Sequence, residues 1–304
     1  MAGSNCPACG GTLDSEPALR GIDHLHGSPG EFAVRVCPAC GSGRTFPPAA
    51  PEELGRFYPE SYDAYSLPAR GVAHSLAVAL FRWHYHWLLR RRPFALLRRL
   101  TPGRLLDVGA GRGDLGVVLA AGGWDVTGLE PSAQACEEGR RRGLTMVQGT
   151  FDDAQLEGPF DVVALQHALE HVIEPREDLG RAFELLRPGG LLVVTVPNFG
   201  SRQARWFGSD WFHLDLPRHR SHFTPAGLER LLLASGFSGI ELSTATTADG
   251  LGNSLQYRRW GRRRFRTDPG RYVWAALSLG LQPVTALAAG GDELGASAVR
   301  PDGR

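Results

Sequence analysis

The segment Arg104–Asp114, which reads RLLDVGAGRGD, constrains the fold more than any other part of the chain. A short apolar run ends in an acidic residue and a glycine-rich loop, and a helical pattern follows. Without Cβ atoms, Gly109, Gly111 and Gly113 let the backbone turn sharply and bring its N–H groups close to a ligand. The following helix adds a partial positive charge that suits a carboxylate or phosphate. The segment therefore predicts a buried parallel strand that delivers a ligand-binding loop.

The spacing of these glycines separates two kinds of nucleotide site. A dinucleotide-binding loop has the pattern G-x-G-x-x-G and would need glycine at Asp114, so an NAD site fits poorly. The pattern Asp107-x-Gly109-x-Gly111-x-Gly113 instead resembles motif I of the class I S-adenosylmethionine (SAM) methyltransferases. This resemblance implies SAM as the cofactor.

Other signatures of these methyltransferases follow in the expected order. Glu130 ends the second predicted strand, where its carboxylate can accept hydrogen bonds from both ribose hydroxyls. The pattern FDVVxxxxxLEHV…LRPGGLLVVTVPN also resembles this superfamily, and the likeness covers roughly residues 103–237. Many relatives have an acidic residue for the adenine amino group where this chain has Thr150; Asp152 could substitute, and Phe151 could stack on the ring. The cofactor-binding residues implied are Asp107, Gly109, Gly111, Gly113, Glu130, Thr150, Phe151 and Gln166.

The predicted elements define an α/β fold. We expect a Rossmann-like, seven-stranded, mostly parallel sheet with a small N-terminal zinc ribbon and a helical insertion before the last strand. The predicted boundaries are 1–46 for the ribbon, 47–100 for a connector and helical cap, and 101–304 for the SAM-binding domain, with 248–291 as an insertion or lid. Within the cap, Val72–Leu100 has helical spacing, and Pro93 is expected to divide it.

Two C-P-A-C-G sequences near the N-terminus indicate a metal site. Cys6, Cys9, Cys37 and Cys40 have the paired C-x-x-C spacing that a tetrahedral zinc needs, and four thiolates leave no open position, so the zinc is expected to be structural. Disulfides or free thiols are the alternative interpretation, and a cytosolic chain disfavours disulfides. No apolar run precedes Cys6, which argues against a signal peptide and favours the cytoplasm.

Composition narrows the choice of partners. All 33 basic residues are arginine, so the arginine clusters count for less as nucleic-acid signals, and lysine-based chemistry is excluded. A net charge of +1 gives no support to DNA binding and little to RNA binding. The apolar stretch Tyr272–Ala289 is interrupted by Gln282-Pro283, so no membrane span is expected, whereas the basic helix before residue 100 leaves contact with a membrane surface open. The sequence does not indicate an oligomeric state.

Two groups of histidines follow the fourth and fifth predicted strands, at the edge of the sheet where such folds bind ligands. His167 and His171 are four residues apart, which predicts one face of a helix, and His219 lies in the crossover sequence DLPRHRSHF. We regard His219, His167 and His171 as candidate catalytic residues, because a base is needed where the methylated atom must lose a proton. A structural role for His171 and solvent exposure for His167 are the alternatives. His167, Glu170 and His171 also overlie an acidic-x-x-Glu-His stretch that binds metal in relatives that O-methylate ubiquinone precursors.

These observations favour a SAM-dependent methyltransferase that acts on a small-molecule acceptor. The segment Trp211–Pro225 resembles bacterial methyltransferases of polysaccharide and natural-product pathways, which implies a sugar, a lipid-linked glycan or a natural-product intermediate. An RNA methyltransferase is one alternative, although the fourth strand lacks both the Asn/Asp-Pro-Pro-aromatic motif and a following cysteine nucleophile. A non-catalytic docking protein built on the SAM fold is the other.

Overall fold

A seven-stranded sheet organises the computed structural model, which describes residues 5–48, 56–58, 88–247, 250–262 and 291–302. Its strand order is β10-β11-β8-β7-β4-β5-β6. The five strands from β8 to β6 are parallel, and β11 runs antiparallel between β8 and β10. The predicted Rossmann-like α/β fold with a seven-stranded, mostly parallel sheet is confirmed.

The boundaries of the elements follow. The strands are β1 Leu19–Gly21, β2 Phe32–Val36, β3 Gly43–Phe46, β4 Arg104–Val108, β5 Asp125–Glu130, β6 Thr145–Gln148, β7 Phe160–Gln166, β8 Leu186–Pro197, β9 Ser221–His222, β10 Ser238–Ala245 and β11 Glu293–Val299. The α-helices are α1 Asp114–Ala121, α2 Ala133–Arg141, α3 Pro175–Leu185, α4 Arg202–Phe207, α5 Pro225–Ala234 and α6 Gly250–Trp260.

Local sequence signals place the ends of two helices. The Ser132 hydroxyl accepts a hydrogen bond from Ala135 N and caps α2, and Gly143 follows this helix in the left-handed region. The Thr224 hydroxyl accepts from Gly227 N and caps α5, with Pro225 in its first turn. Serine or threonine just before a helical pattern predicts an N-cap, and both of these residues take that role.

The strand order produces a crevice at the carboxyl edge of the sheet. From β4 the chain moves outward through β5 and β6 and then returns to β7 on the other side of β4. The connections after β4 and β7 therefore diverge, and parallel sheets of this kind bind ligands at such a switch point. The glycine-rich loop after β4 and the histidine-bearing turn after β7 both lie there.

Apolar side chains cover both faces of the sheet. One core cluster packs β4 and β7 against α1 and α2 through Leu115, Leu119 and Cys136. The other packs α3 and α5 against the opposite face, and it also includes Cys6, Cys37 and Cys40. The cysteine-bearing segment thus shares a core with the methyltransferase-like domain.

A second sheet of four strands has the order β1-β2-β3-β9. The first three strands come from the N-terminal segment, and β9 comes from the crossover after β8. Gly43 pairs with His222 and Arg44 with Ser221 in an antiparallel ladder. We refer to this unit as the cysteine-bearing sheet. It joins the N-terminal segment to the crossover by backbone hydrogen bonds.

The structure corrects two predictions. His167 and His171 do not lie on a helix, because residues 167–172 form a turn and α3 begins only at Pro175. The apolar run Leu191–Val196 predicts the fifth strand of the sheet, but β8 begins five residues earlier, at Leu186, with an irregular register next to Phe160. Residues Arg187–Gly190 have no partners on β7, and Gly189 has a φ of 71°, so the turn propensity of this sequence persists as an irregularity within the strand.

Two predicted elements fall partly outside the described residues. Of the predicted helix Val72–Leu100, the structure describes only residues 88–100, which contain a 3₁₀ helix at Phe94–Arg99 after Pro93. Of the insertion 248–291, it describes α6 and little more, and the apolar stretch Tyr272–Ala289 lies outside the described residues. Among the residues described, no helix combines the length and the hydropathy needed to cross a membrane.

Candidate active site and cysteine cluster

The end of β5 and the glycine-rich loop meet at Glu130. Its side chain is buried, and its two carboxylate oxygens accept hydrogen bonds from Gly111 N and Ser132 N, both at 2.9 Å. Burial raises the pKa of Glu130, although the two backbone N–H groups oppose that increase. Since a carboxylate offers about four lone-pair sites, two acceptor positions remain for ligand hydroxyls.

Gly109 and Gly113 are required by the shape of this loop. Both have positive φ, at 70° and 78°, a region that other residues rarely adopt. A Cβ on Gly109 would lie 2.7 Å from the side chain of Ala168, and one on Gly113 would lie 2.2 Å from Leu144. The loop can therefore hold its curved path only with glycine at these two positions.

Asp107, at the end of β4, is a buried carboxyl group beside Glu130. Burial, together with the charge of Glu130, raises the pKa of Asp107 to about 7. Its pKa in the unfolded chain is near the ordinary value of about 4, so the folded protein binds more protons between these pH values. The contribution of Asp107 to stability is therefore present at low pH and is lost as the pH rises through 7.

We expect Asp107→Asn to remove this pH dependence. Between pH 5 and pH 8, the free energy of unfolding of the wild type should fall relative to that of the variant. The expected fall is about 1.4 kcal/mol for each pH unit over which Asp107 is protonated in the folded state only. Urea denaturation at both pH values measures this difference, and Asp125→Asn at the exposed start of β5 is the control. A constant difference between the wild type and Asp107→Asn would contradict the assignment.

The remaining residues predicted to bind the cofactor lie after β6 and β7. Thr150 is exposed, and its N–H and hydroxyl donate to Asp153 at 2.6 and 3.0 Å, which fixes a turn. Phe151 is buried in the core cluster that contains Leu129 and Val163. Gln166 is half-buried at the end of β7, next to β4. Thr150 and Phe151 thus lie beyond the carboxyl end of β6, and Gln166 is the last residue of β7.

His219 lies in the crossover between β8 and α5, and its side chain is buried. Nδ1 donates a hydrogen bond to the carbonyl of His213 at 2.8 Å. Burial lowers the pKa of His219 well below its usual value, and neighbouring His171 adds to this effect. A neutral imidazole that donates through Nδ1 carries its lone pair on Nε2. This nitrogen lies 3.9 Å from carboxylate oxygens of Glu170 and Asp215.

His167 lies between two carboxylates. Its Nε2 is 2.9 Å from Glu293 and its Nδ1 is 3.3 Å from Glu170. Burial lowers the pKa of His167, but the two carboxylates raise it by more, so its pKa lies well above the usual value. His167 is therefore a partnered imidazolium, and the interpretation of simple solvent exposure is wrong. Its protonated ring is unsuited to act as a base.

His171 lies against His219, with ring centroids 4.6 Å apart. Its Nδ1 is 2.9 Å from the Tyr58 hydroxyl and 3.2 Å from the carbonyl of Arg218. Tyr58 belongs to the predicted connector, and its neighbour Phe57 is buried against the cysteine-bearing sheet. Two further aromatic residues of the connector, Tyr62 and Tyr65, lie outside the described residues. The three candidate histidines thus meet, although His171 acts here as a link between the connector and the crossover.

Backbone strain is concentrated in the same place. Among the described residues, the non-glycine positions with positive φ are His167 at 50° and Asp215 at 37°. Each such conformation costs about 1–3 kcal/mol and persists only where its surroundings enforce it. Both residues face the cluster around Glu170 and His219, so the strain supports a functional role for this cluster.

Glu170, His171 and His219 also bring three potential metal ligands together. Their ligand atoms lie within 4.8 Å of one another. Two nitrogen or oxygen ligands on one tetrahedral zinc would be about 3.3 Å apart, given bonds of about 2.0 Å. His219 Nε2 and Glu170 are 3.9 Å apart, and His167 turns toward Glu293. This one separation is about 0.6 Å wider than the tetrahedral value, and His167 stands where the acidic-x-x-Glu-His pattern has its first acidic residue.

Several residues of this site carry no signal in the motifs described above. Glu293 opens β11, and Asp292 accepts hydrogen bonds from Thr247 and contacts His213 at 3.2 Å. Because β11 is antiparallel, its first residues reach the edge where the parallel strands end. The sequence signal that could have indicated these residues is the pair Asp292-Glu293 at the start of the last strand, which runs in the reverse direction.

The four N-terminal cysteines form a closed cluster. Cys6 Sγ lies 3.5 Å from Cys40 Sγ, and Cys9 Sγ lies 3.6 Å from Cys37 Sγ. These distances are far longer than a disulfide bond of about 2.05 Å. They are close to the separation of roughly 3.8 Å that two sulfur ligands have when each lies about 2.3 Å from a tetrahedral zinc. The two cysteine turns have matching hydrogen bonds, Gly10 N to Cys6 O and Gly41 N to Cys37 O. The donor set and its spacing fit zinc.

A seven-stranded sheet with this strand order, a glycine-rich loop after its first strand and an acidic residue after its second defines the class I SAM-dependent methyltransferase fold. Residues 81–242 match a family model described as a methyltransferase domain. The chain belongs to that family.

Individual relatives agree with this assignment. The chain is 34% identical over 165 residues to the ubiquinone biosynthesis O-methyltransferase of Azorhizobium caulinodans, and this match covers 48% of this chain and 63% of that protein. It is 37% identical over 103 residues to the ubiquinone biosynthesis O-methyltransferase of a Caulobacter species, and this second match covers 31% of this chain and 41% of that protein. The chain thus spans less than two thirds of these relatives. A SAM-dependent methyltransferase from Thermotoga maritima, described as a possible histamine N-methyltransferase, has a TM-score of 0.51 at 20% identity, with 74% of this chain and 93% of that chain covered.

Proposed function

We propose that this protein transfers a methyl group from SAM to a small-molecule acceptor that is methylated on oxygen. The glycine-rich loop and Glu130 form the cofactor side of the crevice, and the histidine cluster forms the acceptor side. The observation that carries the proposal is the buried, neutral His219 with its Nε2 lone pair. The relatives named as O-methyltransferases support oxygen as the methylated atom.

The reaction needs a base at this position. SAM supplies an electrophilic methyl group, and an acceptor oxygen forms the new bond while the pair of electrons in the C–S bond leaves with sulfur. The oxygen must lose its proton, which His219 Nε2 takes. Holding the acceptor in line supplies much of the acceleration, and this is the task of the surrounding crossover. His167 and His171 are proposed to orient Glu170 and His219.

The charges in the site restrict the acceptor. Glu170, Glu293, Asp215 and Asp292 outnumber the cations His167 and Arg218, and Arg218 also pairs with Asp23. The Oε2 atom of Glu170 is buried without a hydrogen-bond partner among the described residues. An unpartnered buried acceptor favours a ligand that donates a hydrogen bond. A hydroxyl-bearing acceptor without an anionic group near the reacting atom fits, and a sugar or a natural-product intermediate meets that description.

Two arginines of the basic clusters are engaged within the protein and are not presented to RNA. Arg92 pairs with Glu241 at 2.7 Å, and Arg258 stacks on Phe207 with its guanidinium carbon 4.6 Å from the ring centroid. We further propose that the cysteine cluster holds structural zinc and that residues 1–46 and 101–304 act together as one methyltransferase unit.

We expect His219→Ala to lower kcat by about 100-fold or more without changing the affinity for S-adenosylhomocysteine, because general bases typically contribute that much. Because the pKa of His219 is lowered, wild-type kcat should stay constant from pH 8 to about 7. The assay incubates the protein and radiolabelled SAM with fractionated lysate of the source organism and measures label in each fraction.

The control for this experiment is His24→Ala, which changes a histidine outside the cluster. Label in a small-molecule fraction that depends on His219 and not on His24 supports the proposal. Label in RNA, or transfer that is unaffected by His219→Ala, contradicts it.

A further inference from the structure

One fully buried ion pair connects the cysteine-bearing sheet to the candidate active site. Arg218 donates to the two carboxylate oxygens of Asp23 at 2.6 and 3.0 Å, and neither side chain is exposed. The same guanidinium donates to Asp215 at 2.6–3.1 Å. Asp215 in turn lies 3.9 Å from His219 Nε2. Arg218 therefore links the N-terminal segment to the carboxylate beside the proposed base.

Asp23 is itself held in place. Its carboxylate accepts hydrogen bonds from the backbone N–H groups of Leu25, His26 and Ser28 at 3.0–3.2 Å. Burial raises the pKa of Asp23, but Arg218 lowers it by more, so the pKa lies well below the usual value and the group stays ionised. A fixed charge with this many partners anchors Arg218 from one direction.

A second contact from the same sheet reaches His219 directly. The Thr45 hydroxyl on β3 donates to the carbonyl of His219 at 2.7 Å and lies 2.9 Å from His222 Nε2. Next to it, Thr45 N donates to the carbonyl of Arg220 at 3.0 Å. The backbone carbonyls of His219 and Arg220 are thus tied to the cysteine-bearing sheet by contacts independent of the ion pair.

We propose that Asp23 and Thr45 are positioning residues for methyl transfer, which hold the crossover so that His219 Nε2 faces the acceptor. This inference rests on the proposed function and gives the cysteine-bearing sheet a role inside the active site. Removal of Asp23 leaves Arg218 buried with one carboxylate, and loss of one partner of a buried pair is strongly unfavourable. Arg218 and Asp215 then rearrange, and His219 moves with them.

The test compares Asp23→Asn with Glu174→Gln. Glu174 also pairs with an arginine of the cysteine-bearing sheet, Arg44 at 3.2 Å, but 48% of its side chain is exposed. ¹⁵N NMR of histidine-labelled protein reports the tautomer and surroundings of His219, whose signals are assigned from their loss in His219→Asn. Isothermal titration with S-adenosylhomocysteine reports the cofactor side, and transfer of label from SAM to the active lysate fraction reports kcat.

In Asp23→Asn we expect shifted His219 nitrogen signals and a kcat at least about tenfold lower, with affinity for S-adenosylhomocysteine within twofold of wild type. Glu174→Gln should match the wild type in all three measurements. Unchanged His219 signals in folded Asp23→Asn would overturn the inference. If Asp23→Asn does not fold, Thr45→Val removes one hydroxyl with little change of shape, and His219 signals unchanged there would also overturn it.

The proposed function can fail separately. If wild-type protein does not bind S-adenosylhomocysteine, the methyltransferase proposal is contradicted, and the NMR comparison still shows whether Asp23 positions His219.

Discussion

Replacement of Cys37 with alanine is expected to abolish the proposed binding of zinc by the cysteine cluster and to lower the melting temperature more than any other single change discussed. Structural zinc in small modules contributes an apparent free energy of about 10–16 kcal/mol, which is comparable with the whole stability of a typical domain. The strands of the cysteine-bearing sheet are also short, since β1, β2 and β3 contain three to five residues each, so the sheet gains little stability from its own strand pairing.

The loss should spread beyond the cysteines. Cys37 and Cys40 belong to the core cluster that contains Leu228 of α5, and the Thr224 hydroxyl donates to the carbonyl of Cys40 at 2.6 Å. Loss of the zinc therefore removes support from the start of α5 and from the crossover. Metal analysis by mass spectrometry and thermal melting with and without a chelator measure the two effects.

Cys136→Ala is the matched control. Cys136 is as fully buried as Cys37, but it lies on α2, where its thiol donates to the carbonyl of Glu130. We expect this variant to retain about one zinc per chain and to lose only the modest stability of a buried side chain. Wild-type protein without zinc, or Cys37→Ala with a full equivalent, would contradict the assignment of the cluster.

The second large effect is on cofactor affinity. We expect Glu130→Ala to weaken binding of S-adenosylhomocysteine by at least about 100-fold. The proposed contacts are two hydrogen bonds from ribose hydroxyls to the buried carboxylate, and a hydrogen bond to a charged group is worth about 1.5–3 kcal/mol. The variant also frees Gly111 N and Ser132 N from their acceptor, which loosens the glycine-rich loop. Isothermal titration measures the change.

Asp125→Ala separates this effect from general damage to β5. Asp125 is exposed at the opposite end of the same strand. Its variant should bind S-adenosylhomocysteine as the wild type does, and circular dichroism should show both variants folded. A folded Glu130→Ala variant with affinity within threefold of the wild type would mean that the ribose is held elsewhere.

Elements whose patterns are local could be predicted from the sequence. Strand β4 ends in a glycine-rich loop, α2 and α5 have capping residues, and β7 is a continuous apolar run, so each carries its own signal. The His167–His171 interval misled the prediction because a spacing of four residues suits a helix. In the structure, the N–H of His167 bonds to the carbonyl of Thr195, and its ring is drawn to Glu293. These contacts hold the segment in a turn.

The link between the two sheets could not be predicted. Asp23 and Arg218 are 195 positions apart, and no sequence pattern pairs the two residues. Strand β9 has only two residues, so it has no periodic pattern of its own and exists only because β3 lies beside it. Glu293 likewise reaches the site only through the reversal of β11.

The participation of β9 in the cysteine-bearing sheet has a consequence for biosynthesis. Ser42 bonds to Thr224, which is synthesised 182 positions later, so the N-terminal strands leave the ribosome long before the strand that completes them. At typical elongation rates of about 5–20 residues per second, that interval is roughly 10–40 s. During it, β3 has an open edge and the apolar side chains of β2 lack the crossover residues that cover them. A zinc ion bound early by the four cysteines would give the nascent segment its first fixed structure while it waits for the rest of the chain.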